Sequence, residues 1–253
     1  MSRLSGHAAL VTGAGQGVGH GIARALAELG VQIAAIGRTA SKVERTCAEL
    51  AELGVTARPY EFDVTDEDGV PALVDQVAAD FGRLDILVNN AYFGAYGPLL
   101  EMSPSQFQRG FRSAPFAAFN FMKAAHPHLV AQGGGSIVNL VTSAMVRWDP
   151  TTYGAYAAAK QALRSLSRTA AVEWGPDNIR VNSIAPHAMT PALEGWAERN
   201  PEEADEFVAS IPLRRIGDPL ADIGRAVASL VSPELSYLSG ATIPLDGGQA
   251  FFG

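Results

Sequence analysis

Short apolar runs alternate along the chain with stretches in which apolar residues recur every three to four positions. Residues 8–12 (AALVT) have strand length, and Val18, Ile22, Leu26 and Leu29 follow at helical spacing. Residues 31–36 read as a second strand. Ser41 stands where it would cap a helix carrying Val43, Cys47, Leu50 and Leu53 on one face. A strand near 55–60, a helix near 71–81 and an apolar run at 84–89 follow. Ser103-Pro104-Ser105-Gln106 reads as a capping box with proline in the first turn, opening a helix that extends to about Ala131. A strand at 136–141, a helix at 156–174, a strand at 179–184, a polar helical stretch at 191–210, a helix at 221–231 and a strand at 241–245 complete the pattern. The strands are continuously apolar, as in parallel sheets covered on both faces. The pattern predicts a single α/β domain over residues 1–253, a doubly wound, Rossmann-like parallel sheet of seven strands with helices on both faces.

Composition narrows the chemistry. Of 253 residues, 47% are hydrophobic, enough for a sizeable core, and only 18% are charged. Average soluble domains carry about 25% charged residues, so an apolar pocket or subunit surface is expected. A net charge of −7 argues against a nucleic-acid partner, which would need a basic face. The single cysteine, Cys47, excludes an internal disulfide framework. No long apolar run marks a membrane span and the opening residues lack a signal-peptide core, so the expectation is a cytoplasmic protein. His7, His20, His126 and His128 show no metal-ligand spacing, and no metal is expected.

The glycines carry the first chemical signal. Thr12-Gly13-Ala14-Gly15-Gln16-Gly17-Val18-Gly19 joins the first strand to the first helix. A helix N-terminus offers free N–H groups and partial positive charge to a diphosphate, and glycines let the backbone approach it. The spacing of Gly13, Gly17 and Gly19 differs from GxGxxG. It resembles the TGxxxGxG of the short-chain dehydrogenase/reductase family, and further motifs follow in order. Asp63-Val64 is similar to the family's adenine-contacting DV. Asn89-Asn90-Ala91 resembles NNAG, with Tyr92 in place of glycine. Tyr156-Ala157-Ala158-Ala159-Lys160 resembles the catalytic YxxxK. Residues 179–186 (IRVNSIAP) resemble IRVNxIxPG, with His187 in place of glycine. Thr190 matches the threonine on the nicotinamide carboxamide, and Asp246-Gly247-Gly248 matches the C-terminal DGG.

The resemblance covers nearly the whole chain. It implies cofactor contacts from Gly13, Gln16, Gly17, Val18, Gly19, Asp63, Val64, Asn90, Ala91, Tyr156, Lys160, Pro186 and Thr190. It also implies a homotetramer built on the fourth and fifth helices and the C-terminal segment.

Tyr156 and Lys160 are four apart and share a helix face. A free phenol, with a pKa near 10, is a poor acid–base group at neutrality, and a nearby ammonium would lower that value. Reduction of a ketone places negative charge on oxygen, which Tyr156 would protonate. A hydroxyl on the fifth strand should orient the substrate oxygen. Ser143, thirteen residues before Tyr156, fits the common family spacing and is favoured. Thr142 fits the strand count IVNxxS, and the two counts disagree by one residue. The family's asparagine in the fourth helix, which holds a relay water, falls on Ala114. Pro115 follows, and a backbone carbonyl freed by it is expected to hold that water instead.

The second strand ends at Gly37-Arg38, with no acidic residue for a ribose 2′-hydroxyl. Arginine suits a 2′-phosphate, so NADP(H) is favoured, with NAD(H) the alternative. Tyr92, Met145, Trp148, His187 and Trp196 are expected to line the substrate site and point to an apolar cyclic or aromatic ketone. The expected function is an NAD(P)(H)-dependent oxidoreductase interconverting a ketone and a secondary alcohol. The rivals are a 3-oxoacyl-carrier-protein reductase and a catalytically weak cofactor-binding protein, the latter motivated by Ala114.

Overall fold

The computed structural model describes residues 4–148 and 152–252. Seven strands form one wholly parallel sheet: β1 (Ala8–Thr12), β2 (Gln32–Gly37), β3 (Ala57–Glu61), β4 (Ile86–Asn89), β5 (Gly135–Leu140), β6 (Ile179–Pro186) and β7 (Thr242–Leu245). Their order is β3-β2-β1-β4-β5-β6-β7. The winding direction reverses between β1 and β4, the place where open α/β sheets leave a crevice at the strands' carboxyl ends.

The helices are α1 (Gly17–Glu28), α2 (Ala40–Ala51), α3 (Val70–Phe81), α4 (Pro104–Phe111), α5 (Ala117–Ala131), α6 (Gly154–Glu173), α7 (Pro191–Arg199), α8 (Pro201–Ser210) and α9 (Arg225–Val231). Successive strand residues face opposite sides and build two cores. Val11, Ile33 and Val88 pack with Ile22 and Leu26 of α1, Leu50 of α2 and Val227 of α9. Leu10, Leu87 and Ile137 pack with Val74 of α3 and Phe121 and Leu129 of α5.

Local chemistry shifts several expected boundaries. Thr39, not Ser41, is the N-cap residue of α2, and Leu53 lies beyond that helix, 42% exposed. The capping box at Ser103 forms as expected, with both reciprocal bonds to Gln106. The helix it opens is interrupted at Arg112–Phe116 by a π turn that contains Pro115. Proline has no N–H for the α ladder, and a wider turn absorbs the loss. The polar stretch at 191–210 divides at Asn200-Pro201 into α7 and α8. A second π turn, Pro219–Gly224, precedes α9.

Buried polar bonds fix α6 on the sheet. Asn139 of β5 accepts from Asn89 at 2.8 Å and donates to Ser167 of α6 at 2.8 Å. About two turns toward the N-terminus of α6, Lys160 Nζ donates to the Leu140 carbonyl at 2.7 Å. These contacts set the helix that carries YxxxK at the carboxyl end of β5.

Candidate active site

The loop from β1 to α1 is a cradle that side chains would close. A Cβ on Gly13 would lie 2.6 Å from Asn90 Nδ2, and one on Gly19 would lie 2.3 Å from the Gly13 carbonyl oxygen. Gly13 and Gly17 also adopt φ of 69° and 56°, a left-handed conformation that favours glycine. Thr12 joins the loop to β4: its hydroxyl accepts from the Asn90 and Ala91 amides, each at 3.0 Å. The Asn90 side-chain Nδ2 donates to the Thr12 and Gly13 carbonyls at 2.8 and 3.2 Å, so it braces the loop.

A cavity of about 760 Å³ runs from this cradle to Tyr156 and Lys160. Gly13, Gln16, Gly17, Val18, Gly19, Arg38, Val64, Asn90, Ala91, Pro186 and Thr190 line it, as do Tyr92, Ser143 and His187. Its length and the bare backbone of the cradle fit an extended dinucleotide, with the diphosphate at the N-terminus of α1.

Four expected lining residues stand elsewhere. Asp63 is not among the cavity-lining residues, and one oxygen of its carboxylate accepts from the Thr65 amide and hydroxyl at 2.9 and 2.8 Å, an Asx turn. Met145 packs with Ala118, Val141, Leu163 and Ala185. Trp148 is fully solvent-exposed. Trp196 lies behind the wall, its ring 6.2 Å from that of Phe207, which does line the cavity.

The hydroxyl beside the Tyr156 phenol is that of Thr142, not Ser143. Thr142 accepts from the Ala144 amide at 3.2 Å, which leaves its own proton free to donate. Ser143 is turned the other way, and its hydroxyl donates to the buried Asp246 carboxylate. The strand count is the one the backbone follows: Asn139 pairs in register with Ser183, and Thr142 lies three residues beyond Asn139.

The electrostatics differ from the simplest expectation. Burial, with Tyr96, Tyr92 and Tyr153 close by, pushes the Tyr156 phenol above its ordinary range, and the Thr142 hydroxyl pulls it back only in part. Lys160 does not depress it, because its ammonium is directed at the Leu140 carbonyl. Burial lowers Lys160 to about 7. The folded state thus disfavours the Lys160 charge that the unfolded chain keeps up to its ordinary value of 10.5. Stability from this group is lowest below pH 7 and rises with pH from about 7 upward. The Tm of the cofactor-free protein should therefore increase between pH 7 and about 8.5. Lys160→Met should flatten that rise, and an unchanged slope in the variant would contradict the assignment.

Tyr92, where the family pattern has glycine, forms one wall. Its ring centroid is 4.7 Å from that of Tyr156 and 5.1 Å from Lys160 Nζ. Its hydroxyl fits against two glycines: a Cβ on Gly94 would come within 2.2 Å of it, and one on Gly110 within 3.0 Å. Tyr96 and Tyr153 continue this wall, with ring centroids 5.3 Å apart. Ala114 lies in the π turn as part of the lining of a cavity of about 10 Å³, with Thr12, Asn89 and Ser113. Ser113 ties that turn to the loop after β4, donating to the Phe93 carbonyl at 2.6 Å.

At the other end of the main cavity, the Arg38 guanidinium lies 3.9 Å from the Phe93 ring centroid. Lys42, in the first turn of α2, also lines the cavity and donates to the Gln16 side chain. The sequence pointed to Phe93 but not to Lys42, Tyr96, Tyr153 and Phe207. Lys42 could have been found by continuing one helical turn past Arg38; the aromatics have no motif around them.

Comparison with known proteins agrees with this geometry. A family model described as enoyl-(acyl carrier protein) reductase matches residues 13–250. The chain is 39% identical over 257 residues to a 12α-hydroxysteroid dehydrogenase of a Clostridium species, covering 98% of each chain. It is 34% identical over 247 residues to the 7α-hydroxysteroid dehydrogenase of Escherichia coli, covering 97% of this chain and 95% of the relative. A solved 7α-hydroxysteroid dehydrogenase complexed with NADH and 7-oxo glycochenodeoxycholic acid matches with a TM-score of 0.91 and 34% identity, over 98% of this chain and 96% of the other. An NAD+-bound xylitol dehydrogenase matches with a TM-score of 0.90 and 34% identity, over 98% of this chain and all of the other. With a cradle fitted to a dinucleotide and a phenol and hydroxyl side by side at its far end, the chain belongs to the short-chain dehydrogenase/reductase family, oxidoreductases that interconvert secondary alcohols and ketones with NAD(P)(H).

Proposed function

We propose that this chain is an NADP(H)-preferring ketoreductase and alcohol dehydrogenase for an apolar cyclic or aromatic substrate. The observation that carries the reading is the pairing of Tyr156 with Thr142 at the end of a cavity walled by Tyr92, Tyr96, Tyr153, Leu193 and Phe207. When bound, the nicotinamide supplies or accepts the hydride. The residues of the chain do the rest. Gly13, Gln16, Gly17, Val18 and Gly19 hold the diphosphate, Val64, Asn90 and Ala91 border the adenosine side, and Pro186 and Thr190 border the nicotinamide. Thr142 donates to the ketone oxygen and orients it, and Tyr156 delivers its proton to that oxygen as charge develops. A phenol held above its ordinary pKa is protonated at neutral pH, the form needed to reduce a ketone. Lys160 steadies the ribose beside Tyr156. The similarity to two hydroxysteroid dehydrogenases supports a bulky, ring-based substrate. The test is NADPH oxidation over a panel of cyclic, aromatic and linear ketones. Turnover concentrated on the ring ketones is expected; turnover confined to linear 3-oxoacyl thioesters would overturn the substrate class.

The preference for NADP(H) rests on Arg38 and Lys42. Both flank the end of the cradle that would receive the adenosine ribose, and among the described residues no acidic side chain lines the cavity there. Stacking on Phe93 holds the Arg38 fork in place for a 2′-phosphate. Arg38→Ala should raise KM for NADPH about ten- to a hundredfold more than KM for NADH, the size of one charge-assisted bond. Equal KM values for the two cofactors in the native protein would contradict it.

The proton that leaves Tyr156 must be replaced. The cavity beside Ala114 has the volume of about one water and has Ser113, Asn89 and Thr12 on its walls. A water held there would serve the relay without an asparagine. Ala114→Asn should then change kcat by less than about tenfold, under ~1.4 kcal/mol of barrier. A solvent deuterium isotope effect that is large in the native protein and vanishes in the variant would show instead that proton resupply limits this chain. Assembly as a homotetramer fits the exposed Phe116 and Phe119 at α5 and Val172 on α6.

A further inference from the structure

Among the described residues, the buried acidic and basic side chains are Asp85, Lys160 and Asp246. Asp85 pairs with Arg83 at 2.7 Å, and Asp246 accepts from the Ser143 hydroxyl and the Gly248 amide. Lys160 has no such compensation. It donates to the Leu140 carbonyl at 2.7 Å, and burial acts on its charge with no carboxylate to offset it. What else faces the ammonium is aromatic. Nζ lies over the Tyr92 ring, 5.1 Å from its centroid, and over the Tyr156 ring at 5.9 Å. A cation within about 6 Å of a ring centroid is drawn to the negative face of the ring, the more so where water is excluded.

The fold fixes Tyr92 at both ends. Ser113 of the π turn clamps the next residue, donating to the Phe93 carbonyl at 2.6 Å and accepting from the Phe93 amide at 3.2 Å. At the far end, the Tyr92 hydroxyl lies against Gly94 and Gly110, where a Cβ would come within 2.2 and 3.0 Å of it. Among the described residues that hydroxyl has no hydrogen-bond partner, so the ring face is what Tyr92 brings to Lys160. The NNAG pattern, with glycine here, has no ring to offer. The other elements around Lys160 add no charge to it. The π turn buries Ser113, Ala114 and Pro115, while its Arg112 and Arg109 of α4 are exposed. Arg180 of β6 is directed at the Leu230 and Leu238 carbonyls. Arg147 and His187 line the cavity without acting on the Lys160 charge.

We propose that Tyr92 is a positioning residue for Lys160: the face of its ring keeps the ammonium charged and in place beside Tyr156, with donors left for the cofactor ribose. Burial drives Lys160 toward the neutral amine, and the ring face opposes it. Without the ring, Lys160 loses its proton at lower pH and holds the ribose less well at neutrality.

The inference rests on the reading of Lys160 as the ribose-holding residue of a ketone-reducing site. The lysines of the chain are Lys42, Lys123 and Lys160, so isotope-labelled lysine lets NMR follow each side chain against pH in the cofactor-free protein. Lys160→Met assigns the signal. Tyr92→Leu keeps an apolar side chain, removes the ring, and should lower the Lys160 midpoint by about 0.5–1.5 pH units. Tyr92→Phe should leave the midpoint as in the native protein. A ring-fluorinated phenylalanine at position 92 keeps the shape and weakens the face. It should lower the midpoint by less than leucine does, and it reads the contact even where the leucine protein fails to fold. A midpoint that stays put in the leucine and fluorinated proteins, or rises because water reaches the amine, would overturn the proposal. Calorimetric titration of NADP+ gives the second readout: the Kd of Tyr92→Leu should exceed the native value at about pH 7.5 and approach it at about pH 5.5, where Lys160 is charged in both. An equal ratio of Kd values at the two pH values would overturn the positioning role. A lowered midpoint in a protein whose native form oxidises no NADPH with any ketone would sink the ketone-reducing reading and leave the Tyr92–Lys160 contact standing.

Discussion

Replacing Tyr156 by phenylalanine removes most turnover, about 10²–10⁴-fold in kcat, while cofactor binding persists. The ring remains in place in this variant, packed against Tyr92 and Tyr96 at 4.7 and 5.6 Å. Only the proton donor is lost. Tyr96 and Tyr92 do not replace it, since Thr142 meets the Tyr156 hydroxyl and the Tyr92 hydroxyl is turned toward Gly94 and Gly110. The loss should appear in kcat and kcat/KM alike, because the missing bond is made as charge develops on the substrate oxygen. Steady-state kinetics with fluorescence titration of NADPH checks both halves, and an unchanged kcat would remove Tyr156 from the chemistry.

The second large effect separates two adjacent hydroxyls. Thr142→Val keeps the shape of the side chain and deletes the donor to the substrate oxygen, and should lower kcat by about 10²–10³-fold. Thr142→Ser should restore most of it. Ser143→Ala leaves the Thr142–Tyr156 pair intact and removes a bond to the buried Asp246. Its main effect should be on stability, roughly 1–3 kcal/mol for an acceptor left unpaired, with kcat lowered far less than in Thr142→Val. The three variants together decide the matter by chemical denaturation and kinetics. A Ser143→Ala enzyme slower than Thr142→Val would reverse the assignment.

Much of this molecule was legible along the chain because its strands and helices obey simple periods. The interior strands follow from continuous apolar runs separated by amphipathic segments, while the edge strand β3 (ARPYE) is mostly exposed and carries only a weak apolar signal. Boundaries moved where a side chain or a proline intervened: Thr39 rather than Ser41 stands at the start of α2, and Pro115 opens a π turn. In the site, the glycine cradle was readable because only bare backbone fits there. The choice between Thr142 and Ser143 was not, since counting from the strand and counting from Tyr156 disagree by one loop residue. Lys42 went unnoticed because it reads as a surface residue until the fold sets it against Gln16. The aromatic wall of Tyr96, Tyr153 and Phe207 comes from three separate segments that only tertiary packing brings to one cavity.

The most direct measurement is isotope transfer. The native protein is incubated with a cyclic ketone and NADPH deuterated at the transferring position of the nicotinamide, and the product is examined by mass spectrometry and NMR. One deuterium on the carbinol carbon, in step with NADPH consumed and absent when Tyr156→Phe is used, is the predicted result. An alcohol without deuterium, or NADPH consumed with no alcohol formed, would contradict an oxidoreductase that passes hydride directly between cofactor and ketone.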